Sequence, residues 1–435
     1  MSLPDRSSPW YVGITRYQWL VFVIASAGWV FDVFEGQLFA VFKTPALVEL
    51  LGFTESELAA SATAREAVDW HANAALALFL VGGAVGGLGF GILADRIGRV
   101  KTLALTILTY SAFSALTFFA QEVWHLHALR FLVALGVGGE WAVAAALVAE
   151  TFGARSRAFA LGTFHASSVL GVVLAAGVGM ALASGHWRWG FLLGLTPALL
   201  VFWVRMGLRE PEGWQAARLN EKTGEALGSL SELLGDRRWR DRALVGMGLA
   251  SVGLASYWGI LAWAPELVVE TLDESLPIEE RRQAASFVYL VIACTGSLPG
   301  LLCFAPLAAW KGRRAAFAIY HVGALLTVPL AFLGAQTFVQ AVILLSVMAF
   351  FVVGMHAGYA IYFPELFPTR LRATGGSFCF NIGRLSSGAL LLVRGALRAE
   401  LGGLRTAVTA MALLFLVGLV LLAFAPETKG RELPE

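Results

Sequence analysis

Apolar runs alternate with short polar connections along almost the whole chain. A helix needs about 20 mostly apolar residues to cross the hydrocarbon core of a membrane. Twelve runs of about that length are present, so the pattern predicts twelve membrane-spanning helices. They lie at 18–41, 71–94, 102–120, 124–148, 157–183, 187–206, 243–265, 284–309, 315–334, 338–362, 373–394 and 405–424.

The longest polar break, at 207–242, separates the first six predicted spans from the last six. We expect an all-α integral membrane protein in which 18–206 and 243–424 form two pseudo-symmetric six-helix bundles. In this division 207–242 is a linker, and the segments 1–17 and 425–435 are polar tails.

Internal similarity supports a duplicated unit with a period near 215 residues. Three short segments, each at the end of a span, match a second segment at an offset of 214 or 215. Many secondary transporters duplicate a bundle in this way and place a substrate site between the two copies. The matched pairs are 93–99 with 307–313, 150–158 with 365–373, and 211–212 with 426–427.

Composition excludes the main soluble classes of protein. Hydrophobic residues make up 58% of the chain and charged residues only 14%, against about 25% charged residues in soluble domains. The mean hydropathy is +0.71. The net charge of +2 gives no indication of nucleic-acid binding. The three cysteines, Cys294, Cys303 and Cys379, lie in apolar runs, and we expect them to be small core residues.

Lysine and arginine are concentrated on one side of the predicted membrane. With the tail 1–17 in the cytoplasm, the cytoplasmic connections and tails carry 22 of these residues and the opposite side carries 8. Positive residues are enriched in cytoplasmic loops. We therefore expect a multi-pass protein of the plasma (inner) membrane with both termini in the cytoplasm.

Four segments resemble signature segments of the major facilitator superfamily. The sequence GILADRIGRVK at 91–101 resembles the loop between its second and third helices, and its second copy has Ala309 in place of Asp95. The other three resemble the sugar-porter and metabolite:proton symporter branches. They are GVGGEW at 136–141, PELFPTRLRATG at 364–375 and PETKGR at 426–431.

The resemblance implies a gate at the cytoplasmic surface. It implies that Asp95 faces the N-terminus of a helix in the other half, where the helix dipole favours an anion. It also implies that Glu150 and Glu365 pair with nearby arginines when this gate is closed. The alternative is that these charges only set the topology. The candidate gating residues are Asp95, Arg96, Arg99, Glu150, Arg155, Arg157, Arg313, Glu365, Arg370 and Arg372.

Three carboxylates inside predicted spans are candidates for proton coupling, because a charge at the bilayer centre costs at least about 2.5–3.5 kcal/mol. Asp32 and Glu35 stand three residues apart on one helix face. Two close carboxylates in a low dielectric are not both ionised cheaply, which favours binding of a proton. The pair also resembles the acidic pair of aromatic-acid:proton symporters, with Glu35 replacing an Asp. Glu140 lies in the fourth span; the alternative for each is a structural role.

Two arginines inside spans are candidates for binding an anionic substrate. Arg130 opens the fourth span, and Arg384 lies in the middle of the eleventh, on the same face as Asn381. A guanidinium fork suits a carboxylate. The alternatives are an interfacial arginine that snorkels, for Arg130, and an internal ion pair, for Arg384.

Polar and aromatic side chains in other spans complete the candidate substrate site. His165 and His356 are inside spans, and Tyr257 and Trp258 lie in the seventh span. The alternatives are neutral core histidines and aromatic residues of the interfacial belt.

These observations predict a secondary active transporter, a proton-coupled symporter of a small organic carboxylate that works by alternating access. The alternatives are a sugar or polyol porter and a metabolite or drug efflux antiporter. The seventh span contains no Gln or Asn, residues that sugar porters usually present there, which favours the acid. We expect no enzymatic activity, no cofactor, no metal site and no nucleic-acid partner. The expected partners are the substrate, protons and the lipid bilayer, and the expected state is a monomer.

Overall fold

The computed structural model describes residues 9–182, 186–220, 226–273 and 275–435. Within these ranges the chain is helical and contains no β-strand, which confirms the all-α prediction. Eleven helical segments are long and apolar enough to span a membrane. They are α1 (Arg16–Leu50), α2 (Ala62–Ile97), α3 (Arg99–Phe119), α4 (Val123–Thr151), α5 (Ala154–Leu182), α6 (Trp187–Gly207), α7 (Arg237–Thr271), α8 (Gln283–Lys311), α9 (Arg313–Gly334), α10 (Phe338–Leu366) and, after α11 at 372–400, α12 (Leu404–Phe424).

Helix α11 carries the predicted span 373–394 but is not one of the eleven apolar segments. Asn381 and Arg384 interrupt its apolar run. A membrane helix with such a polar side turns that side toward other helices, and α11 does so against α2.

Several helices begin before the predicted apolar runs, because capped polar residues continue them at the N-terminus. Helix α2 begins at Ala62, where the side chain of Ser61 caps it. Helix α7 begins at Arg237, capped by Asp236, so it includes the end of the predicted linker.

The linker contains two short helices, Glu212–Asn220 and Leu230–Gly235. The indole of Trp214 donates a hydrogen bond of 2.7 Å to the backbone carbonyl of Asp95, so the linker packs against the end of α2. The tail residues 1–8, position 183 at the end of a predicted span and the linker residues 221–225 lie outside the described ranges.

The duplication is visible where α3 and α9 begin. Gly98 and Gly312 precede them with φ of 115° and 100°, values that favour glycine. Glu210 accepts hydrogen bonds from the first backbone N–H groups of α3, and Glu427 does the same for α9. The repeat pairs Glu212 with Glu427 in sequence, but Glu210 is the structural counterpart, because it is the carboxylate that reaches the helix N-terminus.

Glycines of α2 allow α11 of the other half to approach closely. Gly83, Gly87 and Gly91 are four residues apart and lie on one face of α2. A Cβ atom on any of them would collide with a side chain of α11. These side chains are, in the same order, Arg384, Asn381 and Ser377.

The expectation for the cysteines is correct for one of the three. Cys379 is buried, but Cys294 and Cys303 are exposed on the surface of α8. An apolar residue on a membrane helix is stable facing lipid as well as protein, so hydropathy alone does not separate the two environments.

Candidate functional site

The Asp95 carboxylate, near the end of α2, binds the N-terminus of α11 in the other half. One oxygen accepts the backbone N–H of Ala373 at 3.2 Å. The other accepts the backbone N–H and the hydroxyl of Thr374 at 2.8 and 2.6 Å. Arg99 lies 3.1 Å from the carboxylate, and both side chains are fully buried. The geometry is that of an anion at a helix N-terminus. We call this side of the molecule the Asp95 end.

A buried chain of charges continues from Arg99 across the boundary between the halves. Arg99 donates to both oxygens of Glu150 at 3.1 and 2.9 Å, and to the carbonyl of Thr369 at 2.6 Å. Arg372, from the other half, donates to the same Glu150 at 2.7 Å. Separation of the halves at this end breaks all the contacts that cross the boundary.

The second repeat builds only part of the same network. Arg313 donates to both oxygens of Glu365 at 3.0 and 2.7 Å, and the Thr428 hydroxyl donates to Glu365 at 2.6 Å. Ala309 provides no carboxylate to receive a helix from the first half. The hydrogen bonds of this second set therefore stay within the C-terminal half, although Glu365 also interacts electrostatically with Arg157 of the N-terminal half.

The other candidate gating arginines contact the linker and the chain ends. Arg370 forms an ion pair of 2.7 Å with Glu232 of the linker, and Arg96 donates to a linker carbonyl at 3.4 Å. Arg157 donates to backbone carbonyls at the end of α4 and lies 3.8 Å from a carboxylate of the C-terminal tail. Arg155 is exposed at the same end.

Two of the predicted site residues form a buried ion pair inside the N-terminal half. Arg130 on α4 lies 3.0 Å from Glu35 on α1, whose second oxygen accepts a hydrogen bond of 2.7 Å from Ser114 on α3. The guanidinium also lies over the rings of Phe39 and Phe79, 4.7 and 4.5 Å from their centroids. Both charges are compensated, and the pair joins three helices.

Asp32, Glu140 and Arg384 meet where the two halves face each other. Asp32 and Glu140 are 2% and 0% exposed. Within the described part of the chain, one oxygen of Asp32 and Nη1 of Arg384 have no hydrogen-bond partner, and the Tyr110 hydroxyl interacts with Glu140. Asp32 interacts electrostatically with both neighbours. Buried polar groups without partners are costly, so this cluster is a candidate site for binding a proton or an anion.

Asn381 is held beside this cluster by the close packing of α2 and α11. Its amide donates at 3.2 Å to the carbonyl of Gly138 in α4 and to that of Ser377 in its own helix. Its carbonyl oxygen has no partner among the described residues. Asn381 therefore links the halves and keeps one acceptor available.

Aromatic rings connect Arg384 to His165. The Arg384 guanidinium lies 5.5 Å from the centroid of the Phe380 ring, which stacks on Trp141 at 4.1 Å. The Trp141 indole donates a hydrogen bond of 2.9 Å to Nδ1 of His165. The ring of Trp29 lies 5.3 Å from that of His165.

His356 faces His165 from the other half, with ring centroids 6.5 Å apart. Nδ1–H of His356 donates a hydrogen bond of 3.1 Å to the carbonyl of Val353, and Nε2 of His356 has no partner among the described residues. Tyr257 packs against His356 at 5.6 Å and against Trp258 at 5.4 Å. The structure thus brings His165, His356, Tyr257 and Trp258 into one chain of ring contacts.

Trp29, Trp141 and Phe380 were missed by the sequence analysis. Trp141 directly follows Glu140 and belongs to the segment 136–141, so its position was a usable signal. Trp29 and Phe380 lie three or four residues from Asp32 and Arg384, a spacing that places them on the same helix faces. With 14 tryptophans and 30 phenylalanines in the chain, this signal is weak.

Two helical halves in contact at the Asp95 end, with buried charged side chains between them, are the arrangement of an integral membrane transporter. The family model described as Major Facilitator Superfamily matches residues 19–391. The chain belongs to this superfamily.

Known proteins similar to this chain are also transporters. It is 31% identical over 430 residues to a probable 4-methylmuconolactone transporter of Cupriavidus pinatubonensis, covering 97% of this chain and 93% of that protein. It is 26% identical over 449 residues to the niacin transporter NiaP of Acinetobacter baylyi, covering 97% and 96%.

Solved structures show the same fold. The proton:xylose symporter XylE, bound to 6-bromo-6-deoxy-D-glucose, matches with a TM-score of 0.76 at 16% identity, covering 96% of this chain and 98% of that chain. At this identity the likeness concerns the arrangement of the helices. The predicted twelve-helix fold is confirmed.

Proposed function

We propose that the protein is a proton-coupled symporter of a small carboxylic acid that contains a ring. The observation that carries the proposal is the buried cluster of Asp32, Glu140 and Arg384, in which one Asp32 oxygen and Nη1 of Arg384 lack partners among the described residues. The two similar transporters are named for 4-methylmuconolactone and niacin, both small acids with a ring. An arginine for the carboxylate and aromatic rings for the ring system suit such a substrate.

In this proposal Arg384 binds the substrate carboxylate. The adjoining Phe380 and Trp141 rings provide an apolar surface next to the guanidinium. Ligand sites typically combine such surfaces with a few polar groups that fix orientation. Nε2 of His356, which has no partner among the described residues, is one such polar group.

Coupling follows from competition for the Arg384 charge. Without substrate, Arg384 offsets the negative charge of Asp32, with which it interacts. When a substrate carboxylate occupies Arg384, Asp32 loses that compensation while Glu140 remains beside it. A buried carboxylate without a cation takes up a proton, so substrate and proton bind together. Glu35 and Arg130 neutralise each other and serve to position α1 against α4.

We place the Asp95 end in the cytoplasm, because 22 lysines and arginines lie on that side and 8 on the other. The contacts of Asp95 with Ala373 and Thr374 then close the cytoplasmic side. Alternating access requires these contacts to break and re-form in each cycle.

The test is the external pH of lightly buffered, de-energised cells that express the protein. Addition of ring-bearing carboxylates should make the medium alkaline, and a pool of sugars and polyols should not. Asp32→Asn and Arg384→Gln should both abolish the signal. The matched controls are Asp69→Asn and Arg398→Gln, which change the same residue types at exposed positions and should keep it.

Each outcome decides one part of the proposal. Alkalinisation with sugars alone overturns the carboxylate as substrate. Uptake of labelled carboxylate without a pH change overturns proton coupling. A signal that survives in Asp32→Asn removes this residue as the site of coupling.

A further inference from the structure

The outer surface of the C-terminal half carries an apolar groove between α8, α9 and α10. Its volume is about 430 Å3, and its lining contains no charged side chain. Cys303, Trp310 and Ile319 are exposed, so the groove opens away from the protein. Its main lining residues are Cys303, Leu307, Trp310, Ile319, Tyr320 and Phe351.

Two ammonium groups stand at one end of this groove. Lys311 Nζ lies 4.1 Å from the centroid of the Trp310 ring, and Lys429 Nζ donates a hydrogen bond of 2.7 Å to the Trp310 carbonyl. The neighbouring carboxylate of Glu427 is directed at the backbone N–H groups at the start of α9 and keeps its negative charge. The two ammonium groups outnumber this single carboxylate, so the end of the groove is positively charged.

The length of the groove matches one leaflet of a bilayer. Cys303 and Lys311 are eight residues apart on α8, which is roughly 12 Å of helix at 1.5 Å per residue. Half of the hydrocarbon core measures about 15 Å. A groove that starts at charged residues at the membrane surface and runs this far inward lies alongside most of the length of an acyl chain in that leaflet.

We propose that this groove binds an anionic phospholipid, with an acyl chain along α8 and the headgroup phosphate between Lys311 and Lys429. A chain in the groove exchanges one apolar surrounding for another, so the fit of the chain gives little selectivity. The two ammonium groups supply the selectivity for an anionic lipid, because basic residues at the membrane surface attract anionic lipids. The site is separate from the proposed substrate site.

The test uses the exposed cysteines of the full-length protein in vesicles. With Cys294→Ser, a bimane label on Cys303 reports contact with phospholipids whose acyl chains are brominated and quench it. We expect half-maximal quenching at a mole fraction of phosphatidylglycerol about tenfold lower than of phosphatidylcholine. The double variant Lys311→Gln/Lys429→Gln should lose this difference. The control places the label on Cys294, nine residues before Cys303 on α8, in a Cys303→Ser variant. Quenching at Cys294 should show no difference between phosphatidylglycerol and phosphatidylcholine.

A second measurement needs no label in the groove. Native mass spectrometry of the unlabelled protein should retain one more phosphatidylglycerol than the Lys311→Gln/Lys429→Gln variant. Equal quenching curves for the two headgroups at Cys303, or equal retained lipid in wild type and variant, overturn the proposal. Neither measurement depends on transport, so a result that overturns lipid binding in the groove would leave the proposed transport function unaffected.

Discussion

Two arginines inside the membrane have different neighbours. Arg130 donates a hydrogen bond to Glu35 and is covered by two aromatic rings, and its Nε has no partner among the described residues. Arg384 interacts electrostatically with Asp32, and its Nη1 has no partner among the described residues. Removing Arg130 leaves Glu35 buried without its cation, whereas removing Arg384 takes away the group proposed to bind the substrate carboxylate. The same substitution should therefore have different consequences at the two positions.

We expect Arg384→Gln to weaken substrate binding and Arg130→Gln to weaken folding. Loss of a hydrogen-bonded charge contact with the substrate costs about 1.5–3 kcal/mol, which is roughly a 10- to 100-fold loss of affinity. Arg130→Gln leaves Glu35 buried alone and should cost about 3–5 kcal/mol of stability. Binding by calorimetry and thermal unfolding in detergent separate the two effects. Unchanged affinity in Arg384→Gln would exclude it from the substrate site.

Asp32→Asn should uncouple transport from the proton. The amide keeps the size of the side chain but does not exchange a proton, so substrate exchange down its own gradient should continue while uphill accumulation stops. Counterflow of labelled substrate in proteoliposomes, with and without a pH gradient, measures both. The exposed Asp69→Asn should retain gradient-driven uptake. Accumulation by Asp32→Asn at the wild-type level would assign coupling to another group.

At this scale the sequence identified the charged residues but not their pairing. Hydropathy shows that Asp32, Glu35 and Arg130 lie within apolar runs. Which carboxylate faces which arginine depends on the rotation and depth of helices from distant parts of the chain. The Glu35–Arg130 pair, 95 residues apart, was therefore not predictable from spacing.

At the scale of elements, the glycine face of α2 controls how closely the halves approach. Gly87 lies against the Asn381 side chain, and Gly89, two residues on, has nothing within 4 Å of a built Cβ. The two positions differ only in the face of the helix they occupy. They provide a matched pair for testing the contact between α2 and α11.

We expect Gly87→Val to push α11 away from α2 and to destabilise the conformation closed at the Asp95 end. Gly89→Val adds the same side chain on the open face and should leave the conformation unchanged. Distances between spin labels on exposed residues of the two halves, measured at the Asp95 end, report the change. Identical distance distributions for both variants would show that this contact does not limit closure.

The cap of α9 gives a prediction for pH. Burial raises the pKa of Glu427, but hydrogen bonds from backbone N–H groups outweigh it and hold the pKa below the ordinary value of 4.5. A carboxyl whose folded pKa is lowered stabilises the protein above its unfolded pKa, and this contribution disappears as the pH falls through the folded pKa. The donors are the N–H groups of Arg313, Lys429, Arg314 and Thr428.

Glu427→Gln should therefore lower the thermal unfolding temperature at pH 7, and the difference from wild type should shrink as the pH falls below the ordinary carboxyl pKa of 4.5. The size of the effect is that of an N-cap, about 0.5–2 kcal/mol. The exposed Glu435→Gln should follow wild type throughout. A difference that does not change with pH would mean that packing, not charge, supplies the cap.

The sequence predicted most elements well because an apolar run of about 20 residues has few alternatives to a membrane helix. Helix ends were less predictable: α2 and α7 begin in polar residues that hydropathy assigns to connections. The exposure of Cys294 and Cys303 was not predictable either, because lipid and protein interior select the same residues.

At the scale of the whole molecule, the two repeats are equivalent in their caps and unequal in their gates. Glu210 and Glu427 cap equivalent helices. Asp95 binds a helix of the other half, while its counterpart Ala309 does not. Of these two equivalent positions, only Asp95 supplies a carboxylate to the contact between the halves. A single substitution there should shift the balance between conformations without unfolding either half.

We expect Asp95→Asn to open the Asp95 end. The amide removes the anion from the N-terminus of α11 and from Arg99, and retains one acceptor where the carboxylate had two. A loss of about 1.5 kcal/mol, within the range for a hydrogen bond to a charged group, corresponds to roughly a tenfold change in the equilibrium. The measurement is the rate at which an impermeant maleimide labels Ser377→Cys, which lies against Gly91 at this end, in a background without the native cysteines.

Inside-out vesicles give access to the Asp95 end if that end is cytoplasmic, and right-side-out vesicles do not, so one experiment tests orientation and gating together. Faster labelling in inside-out vesicles of Asp95→Asn supports both. Equal rates with and without the substitution would mean that the chain of charges from Arg99 through Glu150 to Arg372 keeps the end closed by itself. Faster labelling only in right-side-out vesicles would reverse the proposed orientation.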